Sequence, residues 1–452
     1  MHSSDSEKSV VVIGAGIAGL AAAFRLQRAG FAVRILEAEN HVGGRMTTQS
    51  VGDYRIDLGA CWLPTSYKEM TRLITDAKLE QCVRKTADTY SMNRHGITHR
   101  LRTSAKSDLL RSGLLSIPAK ASLARLLFDM RAAEFMRDWS NMAGAADYDA
   151  ETAYAYAHRK LPKELLDYIV DPLCSGWFFQ DSERVSFAGL VFAVKAMLGV
   201  SLFNFDGGID GLPQRLAADQ SVQLGARVTS VDKTQHGAAI AWQDCDGVKH
   251  TEDADGCVIA VQGVHVPSIY SDLNSEGQAF FSSLRYTRDV HVTFGTRGRP
   301  SESVPLILIP TRVHADLSMT SILLHHNNAP GRAPDGKGLI GLYFTNDEWN
   351  DRCWSLDDAT VVENALEELR TVRPDLAAFI ETRVEMSHVQ RWPIAIVKRN
   401  AGDFGRVRQF TESLSDEDQV QLAGDYFSVS TTNASLASGE RAARNLIHSL
   451  RQ

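Results

Sequence analysis

Ser9-Val10-Val11-Val12-Ile13-Gly14-Ala15-Gly16-Ile17-Ala18-Gly19 is the stretch whose reading decides the fold. Its β-branched start predicts a short, buried parallel strand. Apolar residues then follow at helical spacing through Leu20, Ala23, Phe24 and Leu26, and Gly30 stands where a helix ends. Phe31-Ala32-Val33-Arg34-Ile35-Leu36 predicts a second strand, closed by Glu37. Strand, glycine turn, helix, strand and acid make one complete βαβ unit, the context in which GxGxxG has mechanical meaning. Gly14 permits the tight turn, Gly16 lets a pyrophosphate approach the backbone, and Gly19 lets helix and strand pack closely. Ile17 and Ala18 open the helix, whose free N–H groups face the phosphates. Glu37, followed by Ala38, is placed to accept hydrogen bonds from ribose hydroxyls and would repel a 2′-phosphate, which disfavours NADP.

A second glycine pair follows in His41-Val42-Gly43-Gly44-Arg45, where the chain can hug a bulky ligand and Arg45 brings a fixed cation towards it. With these residues the chain resembles the flavoprotein superfamily of flavin amine oxidases, protoporphyrinogen oxidases and carotenoid desaturases. The resemblance runs through the chain. Asp57-Leu58-Gly59-Ala60-Cys61-Trp62 is similar to a segment that passes the isoalloxazine in relatives. Asp171–Trp177 and the turn Gly207-Gly208 to Leu212-Pro213 match further family patterns, and Val228 matches the position whose backbone meets adenine. Leu422-Ala423-Gly424-Asp425 and the helix from about Asn433 match the closing strand and helix. The resemblance implies non-covalent FAD, with Gly59, Ala60, Cys61, Trp62, Val228, Gly424, Asp425, Thr432 and Asn433 joining Gly14, Gly16, Ile17, Ala18, Gly19, Glu37, Ala38, Gly44 and Arg45 around it. A helix N-terminus near Thr432 would stabilise negative charge on a reduced flavin.

The rest of the chain fits an α/β architecture. Helical patterns cover about 66–79, 108–142, 154–168 and 187–198; after Gly211 the texture turns to strands, with a strong helix over 357–372. No linker or repeat interrupts it, which favours domains woven from discontinuous segments. We expect a Rossmann-like FAD-binding domain from residues 1–85, 207–285 and 400–452. A mixed α+β substrate-binding domain takes 86–206 and 286–399.

Composition narrows the function. The 452 residues are 44% hydrophobic, with 48 basic against 55 acidic side chains, a charge of −7 that argues against nucleic acid as a partner. Six cysteines without a CxxC pair read as reduced thiols of a cytoplasmic protein, with no metal site. The polar first residues lack the apolar run of a signal peptide. The apolar stretch 185–205 contains Lys195 and reads as a core helix. Residues 108–142 mix leucines with Arg111, Lys120, Arg125 and Arg131. They suit either a helix covering the pocket or peripheral membrane contact, as in porphyrin- and carotenoid-processing relatives.

The resemblance implies hydride abstraction from a largely apolar, even cyclic, small molecule, giving a C=C or C=N bond, with oxygen or another acceptor reoxidising the flavin. Two departures separate the chain from a simple amine oxidase. The strand Arg288–Phe294 has no lysine where those enzymes carry one, and Ser430–Asn433 has no aromatic residue for a complete amine cage. An amine oxidase with an atypical clamp is the alternative. His291 as proton acceptor, Lys398 as a replacement cation and Trp392 as an aromatic wall are the catalytic candidates.

Overall fold

The computed structural model describes residues 8–131, 133–314 and 316–452. The β-branched run forms the strand Ser9–Ile13, which lies at the centre of a five-stranded, all-parallel sheet. Its neighbours are Ala32–Leu36 on one side and Gly256–Ile259 on the other, with Ser221–Gln223 and Val420–Leu422 at the edges. Strands distant in sequence meet here, and Ser9–Ile13, Gly256–Ile259 and Val420–Leu422 are short and buried nearly throughout, whereas the edge strand Ser221–Gln223 is largely exposed. The helix Ile17–Arg28 packs on this sheet and against the closing helix Thr432–Arg451. Their contact is backbone-close: a Cβ on Gly439 would lie 2.0 Å from the Ala18 carbonyl oxygen.

A second sheet of seven strands is built from residues 89–102 and 289–392. Its interior strands, Asp289–Thr296 and Gly338–Phe344, are buried nearly throughout. Helices Asp358–Val372 and Pro374–Arg383 cover one face through Val361, Ala365, Leu369 and Ile380. The strand Leu202–Phe205 pairs with Leu63–Pro64 and Val83–Lys85, tying the segment that ends there to the nucleotide-side chain.

Several expected elements differ. The helix expected over 66–79 spans only Lys68–Asp76. The 108–142 region is no single helix but Lys106–Arg111, Ile117–Asp129 and a 3-10 turn, Glu134–Arg137. Ser116 caps the middle piece with Pro118 in its first turn, a start signal that forbids continuity from the preceding helix. That piece buries Ala119 and Leu126 and exposes Ile117 and Phe128. The 185–205 stretch divides into a buried helix, Phe187–Met197, and the strand Leu202–Phe205. Among the described residues, no helix is long and apolar enough to cross a membrane.

Candidate active site

A continuous cavity of about 1060 Å³ runs from the carboxyl ends of the parallel strands to the seven-stranded sheet. This exceeds the usual ~300–1,000 Å³ of a small-molecule pocket and leaves room for two ligands end to end. At the near end Gly14 takes φ +98°, and a Cβ there would press to 2.9 Å from the Ala260 carbonyl oxygen. Gly16 differs: a Cβ on it would meet nothing within 4 Å, so the space beside it is open to a ligand. Gly19 does not line the cavity; its missing Cβ would stand 1.9 Å from the Gly14 carbonyl oxygen, which makes it the packing residue of the turn. Glu37 accepts hydrogen bonds from the backbone N–H groups of Ala15 (2.6 Å) and Glu39 (2.9 Å). Its carboxylate therefore fixes the glycine loop and still lies on the cavity wall.

In the middle of the cavity Arg45 donates to the Ala395 carbonyl at 2.6 Å and to Asp425 at 2.8 Å. Asp425 also receives the hydroxyls of Ser430 (2.5 Å) and Tyr286 (3.1 Å). Burial works against its charge, but Arg45 and these hydrogen bonds prevail and hold the carboxyl below its usual range. The closing helix points its N-terminus here: Thr431 caps it, Thr432 and Ser435 line the cavity, and the buried Thr432 Oγ1 has no partner. Asn433 is not on the wall. Its side chain accepts from the Met70 N–H and donates to Glu69, which ties the closing helix to Lys68–Asp76.

The far wall follows strand and helix periodicity. Asp289 with His291, Leu306 with Leu308, Ser321 with Leu323 and Tyr343 with Thr345 are pairs two residues apart, all turned to the cavity. Pro172, Leu173, Gly176 and Trp177 present one face of the helix Asp171–Phe178. Phe179, which caps that helix at φ +52°, also lines the cavity; a bulky side chain in this region is held there by its surroundings. Trp392 donates its indole N–H to the Leu58 carbonyl at 2.9 Å, so the ring is pinned against the cavity. His291 Nδ1 and Asp289 Oδ2 are 2.6 Å apart, and the imidazole stacks on Tyr343 at 4.8 Å between ring centres. His291 Nε2 and Asp289 Oδ1 are buried without a partner.

Other polar groups nearby are held neutral. Burial and Asp57 push the Cys61 thiol up to about 12, so this cavity-lining cysteine is no nucleophile. Burial raises Tyr343 well above the usual phenol range, and burial with Arg332 lowers His325 to about 3. Arg332 itself is fully buried in an ion pair with Asp57 at 2.9 Å and does not reach the cavity wall.

The expected cofactor residues Gly14, Gly16, Ile17, Ala18, Glu37, Ala38, Gly44, Arg45, Gly59, Ala60, Cys61, Trp62, Val228, Gly424, Asp425 and Thr432 all line this one cavity. Lys398 does not. Its backbone N–H bonds to the Arg285 carbonyl, Val397 beside it fills the core, and the alternation sends the lysine the other way, to Asp347 at 2.8 Å. The expectation of Lys398 as a replacement cation is therefore corrected. Sequence reasoning missed Tyr343, Ser321 and Leu306; their two-residue spacing is visible in the chain, but which face looks inward depends on the neighbouring strands.

The residues present fit a flavin dinucleotide: open backbone at Gly16, a helix N-terminus with an unpartnered hydroxyl at Thr432, and the Arg45–Asp425 pair between them. Comparison with known proteins agrees. The sequence profile described as Flavin containing amine oxidoreductase matches residues 17–447. The chain is 22% identical to coproporphyrinogen III oxidase of Bacillus subtilis (strain 168), over 91% of this chain and 92% of that one. It is 24% identical to an L-amino-acid oxidase of Crotalus adamanteus, over 87% and 77% respectively. Among solved structures, cyclohexylamine oxidase from Brevibacterium oxydans IH-35A superposes with a TM-score of 0.75 at 18% identity, covering 99% of this chain and 100% of that one. The chain belongs to the flavin-containing amine oxidoreductase family and is an FAD-dependent oxidoreductase.

Proposed function

We propose that the protein removes a hydride from a small, largely apolar substrate and so creates a C=N or C=C bond, with oxygen or another acceptor as the final oxidant. The observation that carries this reading is the single cavity whose near end suits a dinucleotide and whose far wall is Pro172, Leu173, Trp177, Leu306, Leu308 and Trp392. FAD supplies the two-electron acceptor. The chain's own residues do the rest. Arg45, Asp425 and the glycine turns fix the dinucleotide, the aromatic and aliphatic wall orients the substrate and excludes water, and the Asp289–His291 pair takes up the proton that leaves with the hydride.

A second reading, oxidation of an amine, is favoured by Asp289, whose Oδ1 has no partner and whose neighbour His291 accepts or donates on the same wall. Ser430, Thr431 and Thr432 stand on the wall where an aromatic partner would complete an amine cage, so the clamp would differ from a pair of rings.

Anaerobic stopped-flow reduction of the yellow protein separates the readings. Bleaching by cyclohexylamine or benzylamine, with the imine-derived carbonyl product identified by mass spectrometry, supports C–N oxidation. Bleaching by cyclohexanone, with the enone as product, supports C–C oxidation. No bleaching by any neutral or amine probe overturns the proposal.

A further inference from the structure

The far wall carries an electrostatic signature that its apolar character conceals. Among the described residues, the only Arg or Lys side chains lining the cavity are Arg45, in its middle, and Arg227, at the dinucleotide end. Arg45 is committed to Asp425, and Arg227 lies beside Val228, opposite Glu39 at 4.0 Å. The seven-stranded sheet contributes one acidic side chain, Asp289, and one histidine, His291. These two are bonded to each other and almost fully buried, with side chains 4% and 1% exposed. The carboxylate is in direct contact with the ring, so any positive charge on His291 is balanced by the acid beside it.

The surrounding groups do not change that balance. Cys61 and Tyr343 are held as neutral thiol and phenol, and His325 is held as neutral imidazole. Burial likewise lowers His388, which stands opposite Thr293 on the adjoining strand, and so favours its uncharged form. Arg332 is neutralised by Asp57 and lies off the wall. A carboxylate placed against the far wall would lose its hydration, meet no cation and face Asp289 in a medium that screens poorly.

We infer that Asp289, held in place by His291, sets the charge class of the substrate: the site takes neutral or cationic molecules and turns away carboxylates. This deepens the proposed function and rests on its assignment of the far wall as the substrate end. Asp289 is a specificity-determining residue here, acting by charge across a short distance, so direct contact with the ligand is not required. The unpartnered Oδ1 adds an acceptor for a substrate that brings an N–H or O–H group.

Ring-matched ligands test this in the FAD-loaded protein without turnover. Benzyl alcohol, benzylamine and benzoate share a ring and differ in charge, and the shift of the flavin absorbance gives a Kd for each. Benzoate is expected to bind at least ~10-fold more weakly than benzyl alcohol. Asp289→Asn is expected to narrow that gap several-fold, chiefly by tightening benzoate. Equal affinity for benzoate and benzyl alcohol overturns the inference, as does a gap unaltered in Asp289→Asn or failure of both uncharged and cationic ligands to bind. Should Asp289→Asn not retain FAD, Asp289→Glu, which keeps the charge, must preserve the gap. Ligand ranking is read independently of flavin bleaching, so loss of one result does not imply loss of the other.

Discussion

At the residue scale, two carboxylates do different work in one cavity. Glu37 has its oxygens engaged by the Ala15 and Glu39 N–H groups, so it shapes the glycine loop from within. Glu37→Ala leaves both donors without their charged acceptor and is expected to weaken FAD binding at least tenfold, read by titrating apoprotein with FAD. An unchanged Kd would remove Glu37 from the site. Asp425 is depressed below its usual pKa by Arg45, Ser430 and Tyr286 against the cost of burial. A depressed folded-state pKa stabilises the protein fully above the unfolded value, near 3.8, and that contribution fades as pH falls towards the folded value. Asp425→Asn is therefore expected to lower stability at pH 7 and to flatten the loss below about pH 4, measured by urea melts across that range.

At the element scale, the meeting of the first and last helices holds the dinucleotide end together. Gly439 lets Thr432–Arg451 approach the Ala18 backbone, and Glu440 beside it binds Arg25 and Arg72, both at 2.5 Å. Gly439→Ala would force a Cβ into that 2.0 Å gap and separate the helices. The expected cost is about 1–3 kcal/mol, visible in equilibrium unfolding, with loosened FAD as a second sign because Thr432 sits at the same helix's N-terminus. Wild-type stability in this variant would mean that the helix contact is not rigid. The far wall works by the other periodicity: pairs such as Tyr343 and Thr345 face inward because pleating returns every second side chain to one face.

At the whole-molecule scale, the cavity lies where the parallel sheet's carboxyl ends meet the seven-stranded sheet, so a dinucleotide would join segments distant in the chain. A ligand that binds only the folded state adds RT ln(1 + [L]/Kd) to stability, about 2.7 kcal/mol at a hundredfold excess over Kd. Removing FAD is expected to lower Tm by several degrees, and adding it back should restore the melt in a concentration-dependent way. A Tm indifferent to FAD would place the cofactor outside this cavity.

The chain itself determined the near end. The run Val10–Ile13, the glycines at 14, 16 and 19, Glu37 and Arg45 act through neighbours close in sequence, so strand, turn and phosphate-facing helix are readable locally. Sequence also marked His291 and Trp392, yet it placed Lys398 at the chemistry and Asn433 at the cofactor, and both side chains turn elsewhere. Which face of a strand looks inward depends on partners far along the chain, as when Lys398 goes to Asp347 while Val397 enters the core. The break of residues 108–142 into separate helices had a local signal in Ser116 and Pro118, one that helical periodicity overrode. Only tertiary structure decided the charge of the far wall, because that is a property of side chains from many strands summed over one enclosed, poorly screened space.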